Sequence, residues 1–545
     1  MREQSAAAAL PFRAFAFAIA ALPTLLSVFF WPTLQSPFLL AKSSLLVAAT
    51  ALLAVPLTFS TRPIARTRWH ALLLRLAALF LLLLLISAAF SPQHALAVQP
   101  LLFIAAGLLL VPIAAVGLQG RSTWLLRGIA ISGVMVAIVA ILNRFGFDVF
   151  SPFGLQANYV GGRMQIAATL GNPNFVAAYL ASSMSAVVYF ALRPEAWFWR
   201  ICLLPMFLAL FFAGSHAGLL AFGVMLFTLA MFLPRSGMQS IVIMGFCILV
   251  IAFQLRSEQH ASRAVSTSLA GRFLIWHVAV HDGLSALGSG PGSFAYIYPA
   301  RMGRWFHDHP SPKQLAFADP QTHAHNDFVE FFAEAGILGG AAFLVLIALS
   351  IFLLLKHGSP YALAGFASLL IAAGADFPLH RAETWALLWL WLSFAFLRDD
   401  PHITSSGRFP KAALVGVPAV LCIAILPCLA SYEVHEGLAY DAQSADVNAV
   451  PHYEQAIRYA PADPDANFYL ARALANSGRP TAALAQTQIA QHWMDEPELY
   501  ELRARIQLQL GERGEAVATV QEGLRRFPYS AGLAALRAEL SVPAQ

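Results

Sequence analysis

The sequence predicts an all-α protein: a polytopic bundle of membrane-crossing helices followed by a water-exposed helical repeat. Three observations predict it. The 545 residues are 58% hydrophobic and only 12% charged, where an ordinary soluble globule is about a quarter charged. Apolar runs recur from residue 12 to residue 430, each of the length that a hydrocarbon core of roughly 30 Å demands of a helix. After residue 431 the chain becomes charged and Ala-rich, with helical periodicity and Pro or Gly punctuation.

By the length rule there are about thirteen apolar spans, at 12–30, 37–59, 71–90, 95–118, 124–145, 175–192, 196–213, 218–233, 238–255, 336–355, 361–379, 382–397 and 412–430. The first follows Arg2 and Arg13 and has the look of a signal peptide. No small-x-small cleavage site follows, and Trp31-Pro32 reads as an interfacial end, so 12–30 is taken as the first helix. Arg62, Arg66, Arg68, Arg121, Arg193, Arg235, Lys356, Arg398 and Arg408 fall in alternate short connections. Positive residues mark the cytoplasmic side, so the N-terminus is expected inside. The loops 146–174 and 256–335 and the segment after residue 430 are then expected outside.

The net charge of +5 is scattered over these short loops instead of gathered on one soluble face, which argues against a nucleic-acid partner. Cys202, Cys247, Cys422 and Cys428 all lie in apolar spans without metal-ligand or disulfide spacing, and read as small packing residues.

The tail, 431–545, aligns with itself. Pro464 matches Pro497, Ala471 matches Ala504 and Gly478 matches Gly511, a constant offset of 33 residues. This resembles the tetratricopeptide repeat, in which two antiparallel helices stack and a small residue allows their close approach. Two to three repeats are expected, with an atypical first one near 450–459, forming a docking surface for a protein partner.

Chemistry on a polar substrate is expected in the outer loops. Arg163 precedes Gly171-Asn172-Pro173-Asn174. A guanidinium at a membrane surface suits phosphate oxygens, and Asn172 or Asn174 can cap the next helix or meet substrate. Arg272 begins an expected amphipathic helix, followed by the Gly-rich turn Gly288-Ser289-Gly290-Pro291-Gly292. No strand or Gly-Lys-Thr flanks that turn, so it is not a nucleotide loop. In His325-Asn326-Asp327-Phe328, Asn326 or Asp327 can cap a helix bearing Glu330 and Glu334 and ending at Gly336, with His325 at its mouth. His307, Asp308, His309, His323 and His325 are too irregular to read as a zinc site, and no metal site is expected.

Taken in order between apolar spans, these pieces resemble the O-antigen ligase and Wzy-type polymerase family. Arg272 to Gly283 resembles its Arg-x10-Gly signature and His325 to Gly336 its His-x10-Gly signature. The likeness covers about 12–397, and its specific part is 163–340. It implies a GT-C-type membrane glycosyltransferase, inverting and metal-independent, without a cofactor. Such an enzyme moves a glycan from undecaprenyl pyrophosphate to an acceptor hydroxyl at the outer face of the bacterial inner membrane. Carried over, Arg163 and Arg272 bind the pyrophosphate, His325 orients or deprotonates the acceptor, and Arg301, Asp327 and Glu330 are further candidates for substrate contact. The resemblance leaves the acceptor open between lipid A-core, a growing glycan and protein. The domains expected are a ligase-like membrane domain at 1–430 and the repeat domain at 431–545. From another class, a solute transporter would place ionisable groups at mid-membrane, and Asp376, His380 and Arg381 are the only hint of that.

Overall fold

The computed structural model describes residues 2–60, 67–155, 159–160, 163–233, 245, 264–281, 284–315, 317–318, 320–397, 411 and 413–541. Helices α1 (Arg2–Val28), α2 (Leu39–Ala54), α3 (Arg68–Phe90), α4 (Val98–Gly117), α5 (Ser122–Arg144), α6 (Pro173–Ala191), α7 (Trp197–Ala213) and α8 (His216–Phe232) form the first part of the bundle. The connection after α8 carries α9 (Ala264–His281) and α10 (Phe294–Asp308), and α11 (Asp327–His357), α12 (Pro360–Ala373) and α13 (Ala382–Ser393) complete the bundle's middle. The sole strand pairing among the described residues is a two-residue ribbon, Tyr159–Val160 against Arg163–Met164.

Among the described residues, seven helices are long and apolar enough to cross a membrane, and four more apolar helices are shorter. The chain is therefore a multi-pass membrane protein. Every expected span falls on a helix except 238–255, which apart from Gly245 lies outside the described residues. Two spans differ in kind from the expectation. The run 361–379 is helical only to Ala373, and 374–381 is a loop with a short 3-10 turn at Pro378–His380. The run 382–397 forms α13, twelve residues that are all buried. At 1.5 Å per residue such a helix reaches about 18 Å, too short for a roughly 30 Å core. Hydropathy reports apolar surroundings, and for α13 with Trp385, Trp389 and Trp391 these are protein and not lipid.

Helix α11 is broken at Gly336, whose φ of 71° and ψ of −174° belong to a region only glycine occupies readily. A break in a helix frees backbone groups that must find other partners, and the turn 285–290 satisfies them. The Ile337 and Leu338 N–H groups donate to the carbonyls of Ser285 (3.0 Å) and Ala286 (3.2 Å). The Glu334 carbonyl accepts from the Gly290 N–H (2.9 Å) and from Ser87 Oγ of α3 (3.0 Å), and the Ala333 carbonyl from Ser289 Oγ (3.2 Å). The two backbones cross so closely that a Cβ on Gly336 would lie 2.3 Å from the Gly288 nitrogen. The turn is thus the suture of a broken membrane helix.

The tail does not begin at a hinge. Helix α14 (Ala413–Asp441) runs unbroken past residue 430, so the last membrane span and the first helix of the repeat region are one rod. The tail continues with α15 (Asp446–Tyr459), α16 (Pro464–Asn476), α17 (Pro480–Trp493), α18 (Pro497–Gln509), α19 (Arg513–Arg526) and α20 (Ala531–Ser541). Gly478 and Gly511, one repeat apart, adopt the same positive φ (76° and 79°) in the turns between paired helices. The solenoid packs on α10 and reaches Gln35. Gly303 of α10 lies directly beneath the Arg526 carbonyl, Tyr529 donates to the Pro299 carbonyl (3.1 Å), and Gln35 Nε2 reaches Asp465 (3.1 Å).

Gly336→Ala is expected to destabilise the membrane domain by at least about 2–3 kcal/mol, through strain at a positive φ and loss of the suturing hydrogen bonds. Thermal unfolding of the purified protein in detergent checks this, and an unchanged midpoint would show that the crossing is not structural.

Candidate active site

The ring of Phe377 marks where three loops meet. It packs edge-on against Phe175 (5.0 Å between centroids) at the start of α6, stacks on His323 (4.2 Å), and meets the edge of His325 (5.1 Å). The loop that carries it, 374–381, reads in the sequence as the end of a span.

On one side of Phe377 lie His325, Asp376 and Arg272. His325 adopts φ of +50°, unusual for a residue with a side chain, and its neighbour holds it there. Asn326 caps α11 by accepting from the Phe328 (3.0 Å) and Val329 (3.2 Å) N–H groups. Its amide Nδ2 donates to the Gly374 carbonyl (2.9 Å). His325 Nδ1 donates to Asp376 Oδ1 at 3.1 Å. That bond fixes the tautomer and leaves Nε2 as the nitrogen able to take a proton. The Asp376 carboxylate is nearly buried, whereas 29% of the His325 side chain is exposed. Arg272 lies within α9 instead of at its start, and its Nη1 donates to the Ala375 carbonyl. Arg272 and His325 are thereby tied to adjacent residues of one loop.

Arg163 closes the small ribbon, but its side chain lies outside the described residues, so the expected meeting of Arg163 with Arg272 and His325 is not described. The segment that follows it is anchored to the same loop. The Leu170 carbonyl accepts from Arg381 Nη2 (3.2 Å), and the Thr169 carbonyl from the buried Lys42 Nζ (2.6 Å). Asn172 uses its side-chain oxygen to cap α6 through the Asn174 N–H (2.8 Å). Arg301 is buried within α10, whose Tyr298 and Met302 share a small core with Leu274 and Val278 of α9.

On the other side of Phe377, α11 presents Asp327, Glu330 and Glu334 on one face, all buried. Asp327 accepts from the Leu379 N–H (2.9 Å) and His380 Nδ1 (2.6 Å). Glu330 accepts from His323 Nδ1 (2.8 Å), the Ala324 N–H (2.7 Å) and His380 Nε2 (3.2 Å). Glu334 accepts from the Phe294 N–H (3.0 Å) at the start of α10. Asp327 and Glu330, expected at the substrate, therefore hold the surrounding loops. Both nitrogens of His380 face carboxylates. Burial opposes its charge, but Glu330 and the bond to Asp327 prevail and push its pKa up to about 10. It is an imidazolium at neutral pH.

His323, Glu330 and His380 are the one group among the described residues that could hold a metal ion, with ligand-type atoms all within 4.8 Å of one another. His307, Asp308 and His309 do not join it. Beside it lies a cavity of about 360 Å³, with His323, Glu334 and His380 on one wall and Leu39, Phe103 and Ile104 on another. Tyr296 and Asp463 close its outer end.

Sequence reasoning does not single out Asp376, His323 or His380 as site residues. A signal is present, three polar residues, Asp376, His380 and Arg381, between two apolar runs, but it reads as a transporter hint because nothing local in the sequence pairs 376 with 325.

The geometry defines a class: a multi-pass membrane protein whose connection between α8 and α11, with the loop 374–381, builds a partly exposed histidine and arginine site. Two family models match parts of the chain. Residues 201–344 match the family model described as Wzy_C, O-antigen ligase, and residues 447–506 match that described as tetratricopeptide repeat. The chain thus carries an O-antigen ligase domain with a C-terminal tetratricopeptide tail, as its motifs suggested. No curated protein matches the chain.

Burial raises Asp463 to about 6 and Glu496 to about 7, from ordinary values of 3.8 and 4.5, with Asp465 adding to both and Glu498 and Asp495 to Glu496. A carboxyl whose folded pKa is raised destabilises the fold as it ionises. The docked tail should therefore lose stability as pH rises from about 4 to 7. Thermal unfolding of wild type and of Asp463→Asn/Glu496→Gln across pH 5–8 checks this. The double variant, which keeps a good cap at 463, should show a flatter profile.

Proposed function

We propose that the protein transfers a glycan from undecaprenyl pyrophosphate to an acceptor hydroxyl at the outer face of the inner membrane, as an O-antigen ligase-like glycosyltransferase. The observation that carries this reading is the shared anchoring of Arg272 and His325 on the adjacent residues Ala375 and Asp376. A base and an anion-binding group set side by side are what displacement of a pyrophosphate by a hydroxyl requires. The ligase-family match over 201–344 supports the same class.

In the proposed reaction His325 Nε2 takes the acceptor's hydroxyl proton while the acceptor oxygen attacks the anomeric carbon. The bond from that carbon to the phosphate oxygen breaks, and the pyrophosphate leaves with the electron pair. A single displacement inverts the anomeric centre. Asp376 stabilises the imidazolium that forms, as a positioning residue. Arg272, with Arg163 as a second candidate, neutralises charge on the leaving group, the part that a metal would otherwise take. Pyrophosphate is already a competent leaving group, so holding two amphiphiles in line does much of the work, worth up to roughly 7–11 kcal/mol in favourable cases. The site and the tail are proposed to face the extracytoplasmic side, with the N-terminus cytoplasmic.

His325→Ala should lower turnover roughly 10²–10⁴-fold and Arg272→Ala roughly 10²–10³-fold, with membrane insertion unchanged. The assay is transfer from a synthetic polyprenyl-pyrophosphate glycan to membrane acceptors, resolved by mass spectrometry. Full activity in either variant would end the assignment. Asp376→Asn should lower kcat with little change in KM. An unchanged kcat would leave Asp376 a merely structural contact.

A further inference from the structure

Three consecutive residues of the short 3-10 turn Ala168–Leu170 are each held by a buried side chain from a different part of the bundle. Asn143, near the end of α5, accepts from the Ala168 N–H through Oδ1 (3.0 Å). Lys42, in the first turn of α2, donates to the Thr169 carbonyl (2.6 Å) and to the Ser27 carbonyl of α1 (3.3 Å). Arg381, the last residue of the loop 374–381, donates to the Leu170 carbonyl (3.2 Å) and lays its guanidinium over the Phe175 ring (4.8 Å). Under these bonds Ala168 is kept at a φ of +41°, a strained value for a residue with a side chain that persists only where the surroundings over-determine it.

A carboxylate joins the two cations. Glu383, in the first turn of α13, lies 4.0 Å from Lys42 Nζ and 3.5 Å from Arg381 Nε, and neither of its oxygens has a hydrogen-bond donor. It therefore acts as a charge, at a helix start where a carboxylate is favoured. The side chains of Lys42 and Glu383 are wholly buried, and Lys42 is the one buried lysine among the described residues. Any neutral donor could satisfy a carbonyl, whereas burying an ammonium inside a membrane bundle is costly. What the charges add is position: charged donors make the shorter and stronger bonds, and the shared carboxylate fixes the two cations relative to each other. A buried lysine and glutamate can also mark an ion path, but Lys42 is committed to two main-chain carbonyls.

What these residues join decides their purpose. On one side is the loop whose Ala375 and Asp376 hold Arg272 and His325. On the other is the segment that runs from Arg163 to the cap of α6 at Asn172, and Phe175 at the start of α6 packs back on Phe377 of that loop. We infer that Lys42, Glu383 and Arg381, with Asn143, are positioning residues for the transfer reaction: they clamp the turn 168–170 to the loop 374–381 and so set the segment that begins at Arg163 against the pair made by Asp376 and His325. This rests on the transfer reading above and adds to it residues that act from inside the bundle, through the main chain. Lys42→Met is the selective probe, because the Arg381–Glu383 pair that remains is balanced in charge.

The test uses the full chain in nanodiscs and two measurements, one of them independent of activity. In Lys42→Met, amide hydrogen exchange in peptides covering 165–172 and 374–381 should rise about tenfold or more, with the turn 285–290 unchanged. In the transfer assay kcat should fall roughly tenfold to a hundredfold, with KM for both substrates held within about twofold. In an Asp376→Asn background the same substitution should cost less than about threefold, because the pair it positions is already impaired. Asn143→Leu, which removes no charge, should loosen 165–172 in the same way and carries the test if Lys42→Met does not fold. Ser44→Ala, which removes a buried contact of the same helix with Cys428, should change neither measurement. Unchanged exchange at 374–381 would show that the loop holds without the clamp and overturn the inference. So would a fully additive loss of kcat in the double variant, or a change in Ser44→Ala as large as in Lys42→Met, either of which would make Lys42 a general prop of the fold. Raised exchange in both peptides of a protein whose wild type transfers nothing would support the clamp and end the transfer reading instead.

Discussion

His380, held between Asp327 and Glu330 by both ring nitrogens, is the contact on which the rest of the site depends. It joins the loop 374–381 to the first turns of α11, and through Glu330 it also fixes His323 and the Ala324 N–H. A buried charge stripped of one partner is costly, about 3–5 kcal/mol in typical cases. The arrangement therefore has one way of being satisfied. Because His323 to Asn326 and Gly374 to His380 are locked against each other, the pair made by His325 and Asp376 is set without any flexible segment between them.

The same economy of position governs the outer loop. A broken helix needs partners for its freed backbone groups, and here the partners come from the turn that connects α9 to α10. The turn 285–290 cannot move without unsatisfying α11, so Arg272 on α9 is tied at its loop end to the helix that His325 introduces. At the far end of the turn, Glu334 receives the first N–H of α10, and α10 in turn supports the tail through Gly303 and Pro299. One broken helix thus positions the arginine, the histidine and the tail.

This explains which parts are legible in the sequence. Most of the apolar helices, the Asn326 cap and the 33-residue offset are local patterns with local causes, and the structure contains them. The spacing of His325 and Gly336 is legible as a motif, but its physical basis is not: Gly336 is needed because another chain segment crosses there, and sequence spacing carries no record of the crossing. The loop 374–381 is hidden because Phe377, Pro378 and Leu379 keep the local hydropathy high while Asp376 and His380 find their partners some fifty residues away. Helix α13 passes for a span because burial among Trp-rich neighbours and exposure to lipid select the same residues.

The tail shows how a compositional boundary can differ from a mechanical one. Composition changes at residue 431, yet α14 continues to Asp441, so forces on the repeat helices act directly on a membrane helix. Contacts near Asp465 and near Tyr529 then bind the solenoid to the bundle at two separated points. A rod fixed at its base and held at two further points cannot swing freely as a tethered arm. A solenoid that merely recruited a partner would work as well on a flexible linker. Rigid attachment instead fixes Asp463 of the tail in the wall of the cavity that His323 and His380 also line.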